Sequence, residues 1–337
     1  MTPSTIARGA ARGRPVPSEI PATMRAAAID RFGGPEVLTV RSLPVPEPNA
    51  QEVLIALDGA GVGTWDAGLR SGEWAEDKED FPRVLGIDGA GTVVAVGARV
   101  ERIAVGDYVY SYSYANPKGG FYAEYVAVSA GKVAPVPDGL DEISAAALPA
   151  LGLTALQGVD DALELAQGEL VIVHGASGNV GMLAVQFAKR RGARVLATAS
   201  GRDGVEFVSR LGADQVIDGR HDDIVASAKQ FAPDGADAVL AFVGGPELTR
   251  CLDALRARGR LAYPNGIEPE PRKRRGLHIT AYDAEVGPRE LERLGREIEK
   301  APPQIPIADV FSLEDAARAH ELLDRGHVLG RIVLRIA

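Results

Sequence analysis

Residues 169–200 read ELVIVHGASGNVGMLAVQFAKRRGARVLATAS. ELVIV is a short apolar strand and GASGNVG a glycine-rich turn. MLAVQFAKRR then carries apolar residues at 182, 183, 185, 187 and 188, which is one buried stripe of a helix. RVLAT returns to strand composition. Strand, tight loop, helix and strand in that order make a βαβ unit. The alternation continues with FVSRLG (helix), QVID (strand), DDIVASAKQFA (helix), ADAVLAFVG (strand), ELTRCLDALRA (helix), and the strands GRLAYP and LHITAY. About six strands alternating with helices predict an α/β doubly wound parallel sheet.

The turn at Gly175–Gly181 follows a strand and opens a helix. Glycines there let backbone approach a pyrophosphate, and the helix N-terminal N–H groups point at its charge. The loop residues Ala176, Ser177, Gly178, Asn179, Val180 and Gly181 are therefore candidate dinucleotide contacts. The bland alternative is a turn that only permits close helix–strand packing. The end of the second strand selects between cofactors. An acid there would hold a ribose 2′-OH, but the sequence runs Ala199-Ser200-Gly201-Arg202, with Asp203 only after the turn. A hydroxyl and a guanidinium suit a 2′-phosphate, so Ser200 and Arg202 predict NADPH over NADH. Asp203 is the expected helix cap.

Composition removes whole classes of function. The chain has 37 Lys+Arg against 46 Asp+Glu, a net charge of −9, which gives no general reason to bind nucleic acid. The basic run Arg272–Arg275 reads as a solvated loop. A single cysteine, Cys251, precludes an internal disulfide and every multi-cysteine metal site within one chain. It sits in a helical pattern and is expected to be buried and inert. No window approaches the ~20 apolar residues that span a bilayer. Residues 1–23 carry three arginines, one acid and four prolines without an apolar core. They are expected to be a disordered tail, and the expected compartment is the cytoplasm.

From Met24 to about residue 135 the sequence looks mainly β. PVPEP (44–48) suits an extended edge, VLGIDGAGTVVAVGARV alternates small and β-branched residues, and Tyr108–Tyr112 follows a Gly-Asp turn. Residues 283–337 hold two amphipathic helices, PRELERLGREIEK and LEDAARAHELLDRG, and a last strand, GRIVLRI.

These features together resemble the medium-chain dehydrogenase/reductases, and more narrowly their zinc-free quinone oxidoreductase branch, which includes zeta-crystallin and related enone reductases. The resemblance runs from Met24 to Ile336. It rests on GGPEVL (33–38), RSG (70–72), FPRVLGIDGAGTVVAVG (81–97), GGFYAEYV (119–126), ALPALGLTA (147–155), HGASGNVG (174–181), LGADQVID (211–218) and GRIVL (330–334). It implies a Rossmann-type nucleotide-binding domain at 148–282. It also implies a GroES-like β-rich catalytic domain from 24–147 and 283–337, with the cofactor between them. By the same resemblance Thr154 lies near the nicotinamide. Phe242, Val243 and Gly244, with Asn265, line its ribose and ring, and Arg331 reaches cofactor or domain interface. A homodimer joined through nucleotide-domain sheet edges is implied as well, with LHITAY the candidate edge.

The zinc enzymes of the superfamily hold their metal with Cys, His and Cys. Motif matching puts Gly63, Ile87 and Leu151 at those positions, and none can ligate. An Asn-x-x-Asp motif common in the branch is Gly63-Thr64-Trp65-Asp66 here, so the Asp is kept and the Asn lost. Gly68 and Gly219 stand where tyrosines are usual.

Without a metal, hydride transfer requires an acceptor that is already electrophilic, such as a quinone or an α,β-unsaturated carbonyl. Candidate pocket residues are Asp66, Trp65 and Tyr112. Asp66 either positions the acceptor or satisfies a turn, and Trp65 either walls a flat substrate or packs in the core. Tyr110, Tyr112 and Tyr114 alternate on one strand face and either line a cleft or stack as structural residues. His174 is expected to be structural, and His221, His278, His320 and His327 to lie at the surface or at helix ends. Two other readings stay open: an enoyl reductase acting on a bulky or thioester substrate, and a non-catalytic NADPH-binding sensor.

Overall fold

The computed structural model describes residues 13–73 and 80–337. The front of the chain forms β1 (Thr23–Ile29), β2 (Thr39–Pro44), β3 (Glu52–Val62), α1 (Thr64–Ser71), β4 (Arg83–Val84), β5 (Asp88–Val96), β6 (Tyr108–Tyr112), β7 (Tyr125–Ser129) and β8 (Val133–Pro135). Two helices, α2 (Glu142–Ala147) and α3 (Pro149–Gln157), lead into the alternating part. Pro149 takes the first position of α3, where its missing N–H costs nothing. Then follow β9 (Leu170–His174), α4 (Asn179–Arg190), β10 (Arg194–Ala199), α5 (Gly201–Ser209), β11 (Gln215–Asp218), α6 (Ile224–Phe231), β12 (Ala236–Ala241), α7 (Pro246–Asp253), β13 (Leu255–Pro264) and β14 (His278–Tyr282). The chain ends with α8 (Pro288–Lys300), β15 (Ile307–Ser312), α9 (Ala316–Asp324) and β16 (Arg331–Arg335).

The second half is the expected doubly wound sheet. Six strands in the order β11-β10-β9-β12-β13-β14 pair in parallel throughout. The connection reverses direction between β9 and β12, which makes the carboxyl ends of those strands the switch-point crevice of such sheets. β9 is buried from end to end, as a parallel strand covered on both faces must be. The helix after it differs from the expected single stripe. Every residue from Gly181 to Ala188 of α4 is buried, because α4 is covered by the sheet on one side and by α3 on the other. The LHITAY segment is β14, the edge strand of the sheet.

The β-rich part closes around β3, all eleven residues of which are buried. β3 pairs with β5, β7 and β16, all antiparallel, so the C-terminal strand returns to the front half. The sequence reading missed β15, which pairs in parallel with β16 at the sheet edge. FYAEYVAV is a strand only from Tyr125, and Phe121 and Tyr122 precede it as fully buried side chains. α8 buries Leu291, Leu294 and Ile298 in the same core as α3 and α4.

The tail expectation is corrected at its near end. Residues 1–12 lie outside the described residues. Beyond them, the Arg14 guanidinium donates to Asp58 at 2.8 Å and to the Leu57 carbonyl at 2.7 Å, and β1 begins at Thr23. Asp58, buried within β3, holds that arginine in place.

Candidate active-site cleft

The glycine-rich turn sits at the carboxyl end of β9. Gly175 has φ +80°, a left-handed value that glycine adopts without strain. Gly181 faces it across the turn: a Cβ there would stand 2.3 Å from the Gly175 carbonyl oxygen. Gly178 caps α4 without a side chain, so the first-turn N–H groups have no capping acceptor from the protein. Asn179 at the first helical position has a buried Oδ1 with no partner. An anionic pyrophosphate fits the uncapped first-turn N–H groups, while the Asn179 Oδ1 is an acceptor and does not contribute to anion binding. Ala176 contributes differently from the expectation, since its side chain is fully buried and its N–H is bound to the Thr198 carbonyl at 2.9 Å. His174 is structural, its Nδ1 lying 2.7 Å from Thr198 Oγ1, and burial holds its pKa down at about 4.

Several other expected residues gather at the same edge. The backbone N–H of Ser200 donates to Ser177 Oγ at 3.4 Å, which joins the first loop to the end of β10. Val243 covers Gly175 and is 51% exposed, an unusual setting for a large aliphatic side chain at a strand end. Gly244 is pinned under the backbone of Glu268 and Pro269. The Phe242 N–H donates to the His174 carbonyl at 3.0 Å. From the β-rich side, the Trp65 ring lies against Gly266, next to Asn265, and meets Tyr114 edge-on at 5.9 Å between centroids. Trp65 is thus a half-buried wall joining α1 to the loop after β13.

Arg331, Asp66 and Asp203 depart from expectation, while Thr154, Asn265 and Arg202 are seen with protein partners. Arg331 does not reach outward to a cofactor. Its guanidinium is 3% exposed and donates to Asp88 Oδ1 at 2.9 Å, in space left by the missing side chains of Gly61 and Gly63. Asp66 is wholly buried and faces no open cleft. Its Oδ2 accepts the Gly63 N–H at 2.9 Å, the backbone half of a capping box, and its Oδ1 has no partner. Burial raises its pKa to about 7, with the Arg331 charge pulling the other way. The Thr154 hydroxyl bends back to the Ala150 carbonyl at 2.8 Å. The Asn265 amide is held by Asp283 at 2.8 Å. The Arg202 side chain is 94% exposed and rests on Glu206 at 3.2 Å. Ser200, not Asp203, caps α5, and Asp203 reaches His327 Nε2 at 2.9 Å.

The three tyrosines divide by depth. Tyr110 is structural, with no exposure and its hydroxyl on the Leu291 carbonyl at 2.9 Å. Tyr112 is half-buried between the two main cores, and Tyr114 is exposed. Tyr112 pairs across the sheet with Asp88. Burial, reinforced by the Asp88 charge, pushes its hydroxyl up to about 12, so it is a hydrogen-bond donor at neutral pH. His320 is buried in the interior, against expectation. Its Nδ1 is 2.9 Å from Arg70 Nη1 and its Nε2 is 3.2 Å from the Tyr122 hydroxyl. Cys251 is buried in α7 and burial pushes its thiol up to about 12.

Sequence reasoning overlooked Asp88, Tyr122 and Arg70, and misplaced His320. The signal for Asp88 was present, as an acid within the otherwise small and apolar GIDGAGT strand. Gly63, Ile87 and Leu151 offer no donor atom to a metal. Among the described residues no group of three or more His, Cys, Asp and Glu is placed to hold one.

Residues 49–138 match the family described as alcohol dehydrogenase GroES-like domain, and residues 211–334 the family described as zinc-binding dehydrogenase. The chain is 31% identical to a rat (Rattus norvegicus) quinone oxidoreductase over 92% of its length and 97% of that protein. It is 30% identical to the chloroplastic NADPH-dependent alkenal/one oxidoreductase of Arabidopsis thaliana, over 94% of this chain and 81% of that one. The fold superimposes on the crystal structure of Escherichia coli quinone oxidoreductase complexed with NADPH with a TM-score of 0.83 at 27% identity, covering 93% of this chain and 100% of that one.

Proposed function

The chain belongs to the quinone oxidoreductase family of medium-chain dehydrogenase/reductases, and on that premise we propose that it is a metal-independent NADPH-dependent reductase of quinones and α,β-unsaturated carbonyls. The observation that carries the reading is the Trp65–Tyr114 wall, which the β-rich part sets against Gly266 in the loop after β13, with the glycine turns after β9 and β12 closed on each other through Val243 over Gly175 in the same parallel sheet. Trp65 and Tyr114 offer a flat conjugated acceptor an aromatic surface. The NADPH-bound E. coli structure and the alkenal/one oxidoreductase support the cofactor and the substrate class.

The nicotinamide cofactor supplies the hydride when bound. The α4 N-terminus from Gly178 to Gly181 and Ser177 hold its pyrophosphate, and Ser200 with Arg202 meets the 2′-phosphate. Val243 and Phe242 border the nicotinamide end. Arg202 turns from Glu206 to do so, a small cost because exposed i,i+4 pairs are weak. The side chains at Gly63, Ile87 and Leu151 provide no Lewis acid, so the acceptor must delocalise the developing negative charge itself. Tyr112, held protonated, orients the acceptor oxygen, and water completes protonation. The β-rich part (24–147 and 283–337) supplies this wall and 148–282 the nucleotide site. The reading includes a homodimer through β14 and a cytoplasmic location. NADPH oxidation with a panel of quinones and alkenals tests it.

A further inference from the structure

Two carboxyls and one guanidinium share a dry site behind the cleft wall. Asp66 from α1, Asp88 from β5 and Arg331 from β16 are 0%, 0% and 3% exposed. Asp88 is well satisfied: Oδ1 accepts from Arg331 at 2.9 Å and Oδ2 from the Ala150 N–H at 3.1 Å. Asp66 accepts the Gly63 N–H, its Oδ1 has no partner at hydrogen-bond geometry, and the one further donor bearing on it is the nearby Tyr122 hydroxyl. With both acids ionised the cluster carries one uncompensated negative charge in a medium that cannot solvate it. One proton must therefore reside there, and the less satisfied acid is the one to hold it.

Burial favours the proton on Asp66 most, and the neighbouring groups pull both ways: Arg331 and the Tyr122 hydroxyl oppose it without overcoming burial, and the Asp88 charge favours it. The charged and titratable side chains bearing on Asp66 are Arg331, Asp88 and Tyr122. Behind Tyr122 stands His320, and behind that Arg70, which also pairs with Asp324 at 2.7 Å. Arg70 can only donate, so His320 Nδ1 accepts and the imidazole proton sits on Nε2, toward the Tyr122 oxygen. That leaves the Tyr122 hydroxyl proton free to serve Asp66. Burial and Arg70 hold His320 neutral, so no second cation balances the cluster. Tyr112, half-buried between the two main cores, senses both carboxyls and pairs across the sheet with Asp88. Trp65 adjoins Asp66 in the chain.

We propose that Asp66 is a positioning residue whose proton keeps the Asp66–Asp88–Arg331 cluster neutral behind the acceptor, so that loss of this proton slows the reduction. The inference rests on the proposed function. The acceptor gains two electrons with the hydride and one proton from water. Asp66 exchanges no proton in turnover and acts through its charge on the negative oxygen that hydride transfer creates. An uncompensated charge in this low-dielectric interior is expected to change the rate roughly tenfold.

The test combines infrared spectroscopy of the substrate-free protein with kcat for benzoquinone reduction between pH ~6 and ~9. A protonated-carboxyl band in the wild type should disappear around pH 7, and kcat should fall roughly tenfold over the same range. In Asp66→Asn the band should be absent and the ratio of kcat at the two ends should approach one. Should that variant fail to fold, Tyr122→Phe removes the donor that favours the carboxylate, and both transitions should move to higher pH. A protein that turns over quinone but lacks the band, an Asp66→Asn variant that keeps the wild-type pH profile, or a Tyr122→Phe variant with unmoved transitions contradicts this inference alone. A protein that shows the band but reduces no acceptor contradicts the proposed function and the rate effect together.

Discussion

Arg331 and Asp88, 243 positions apart in the chain, meet at 2.9 Å with neither side chain more than 3% exposed. The pair ties the C-terminal strand to β5 and fills the space beside Gly61 and Gly63. A buried pair of this kind adds little over a well-packed apolar substitute, but losing one partner strands the other. Arg331→Met should therefore destabilise the protein by about 3–5 kcal/mol at neutral pH. Urea denaturation should show a smaller deficit at pH ~5, where protonated Asp66 leaves less uncompensated negative charge beside the vacated arginine site. A pH-independent loss below ~1 kcal/mol would contradict the account.

The glycine turn makes a contrast between two neighbours. Gly181→Ala drives a Cβ to 2.3 Å from the Gly175 carbonyl, whereas Gly178→Ala finds its nearest atom at 3.3 Å. The first must shift backbone that cannot yield, and the second asks for a few tenths of an ångström. Fluorescence titration with NADPH should show at least a roughly tenfold loss of affinity for Gly181→Ala and a much smaller one for Gly178→Ala. Equal effects would mean that the turn does not cradle the cofactor.

Much of this architecture was legible in the chain. ELVIV and its partner strands are continuous apolar runs because a parallel sheet is covered on both faces, and the loop and helix between them are local. β15 was not legible: IADVFS lies at a sheet edge, half-exposed, and becomes a strand by pairing with β16. Tyr110, Tyr112 and Tyr114 show the limit of periodicity. Their alternation places them on one face, but a period of two does not encode depth, and only Tyr112 stands between the cores. The cluster behind Trp65 was hidden for another reason. Asp66, Asp88, Tyr122, His320 and Arg331 come from distant elements, and only the fold brings them together.

Two buried groups give opposite pH trends in stability. His320 has its folded pKa lowered to about 3 by burial and by Arg70. Between pH ~3 and ~6.5 the unfolded chain binds a proton that the folded chain refuses, so stability rises with pH across that window. Asp66 has its folded pKa raised to about 7 by burial. Between pH ~4 and ~7 the folded chain keeps a proton that the unfolded chain releases, so stability falls as pH rises. Each slope is at most about 1.4 kcal/mol per pH unit. His320→Gln should expose the falling trend and Asp66→Asn the rising one in urea titrations at stepped pH. Parallel curves for both variants would contradict the burial argument.

The cofactor preference rests on Arg202, which the structure leaves 94% exposed and engaged only by Glu206 among the pairs seen. A charge-assisted bond to a phosphate contributes about 1.5–3 kcal/mol. Arg202→Ala should thus raise the Kd for NADPH by roughly tenfold or more and leave that for NADH nearly unchanged. Calorimetric titration of both cofactors checks it, and equal changes would remove the basis for NADPH.

The most direct test of the central claim is NADPH oxidation, followed by absorbance, by chelator-treated protein given 1,4-benzoquinone, 9,10-phenanthrenequinone and a series of 2-alkenals. The account predicts turnover with at least one of these acceptors, unaffected by the chelator and faster with NADPH than with NADH. No turnover with any acceptor, or turnover that chelation abolishes and zinc restores, would contradict it.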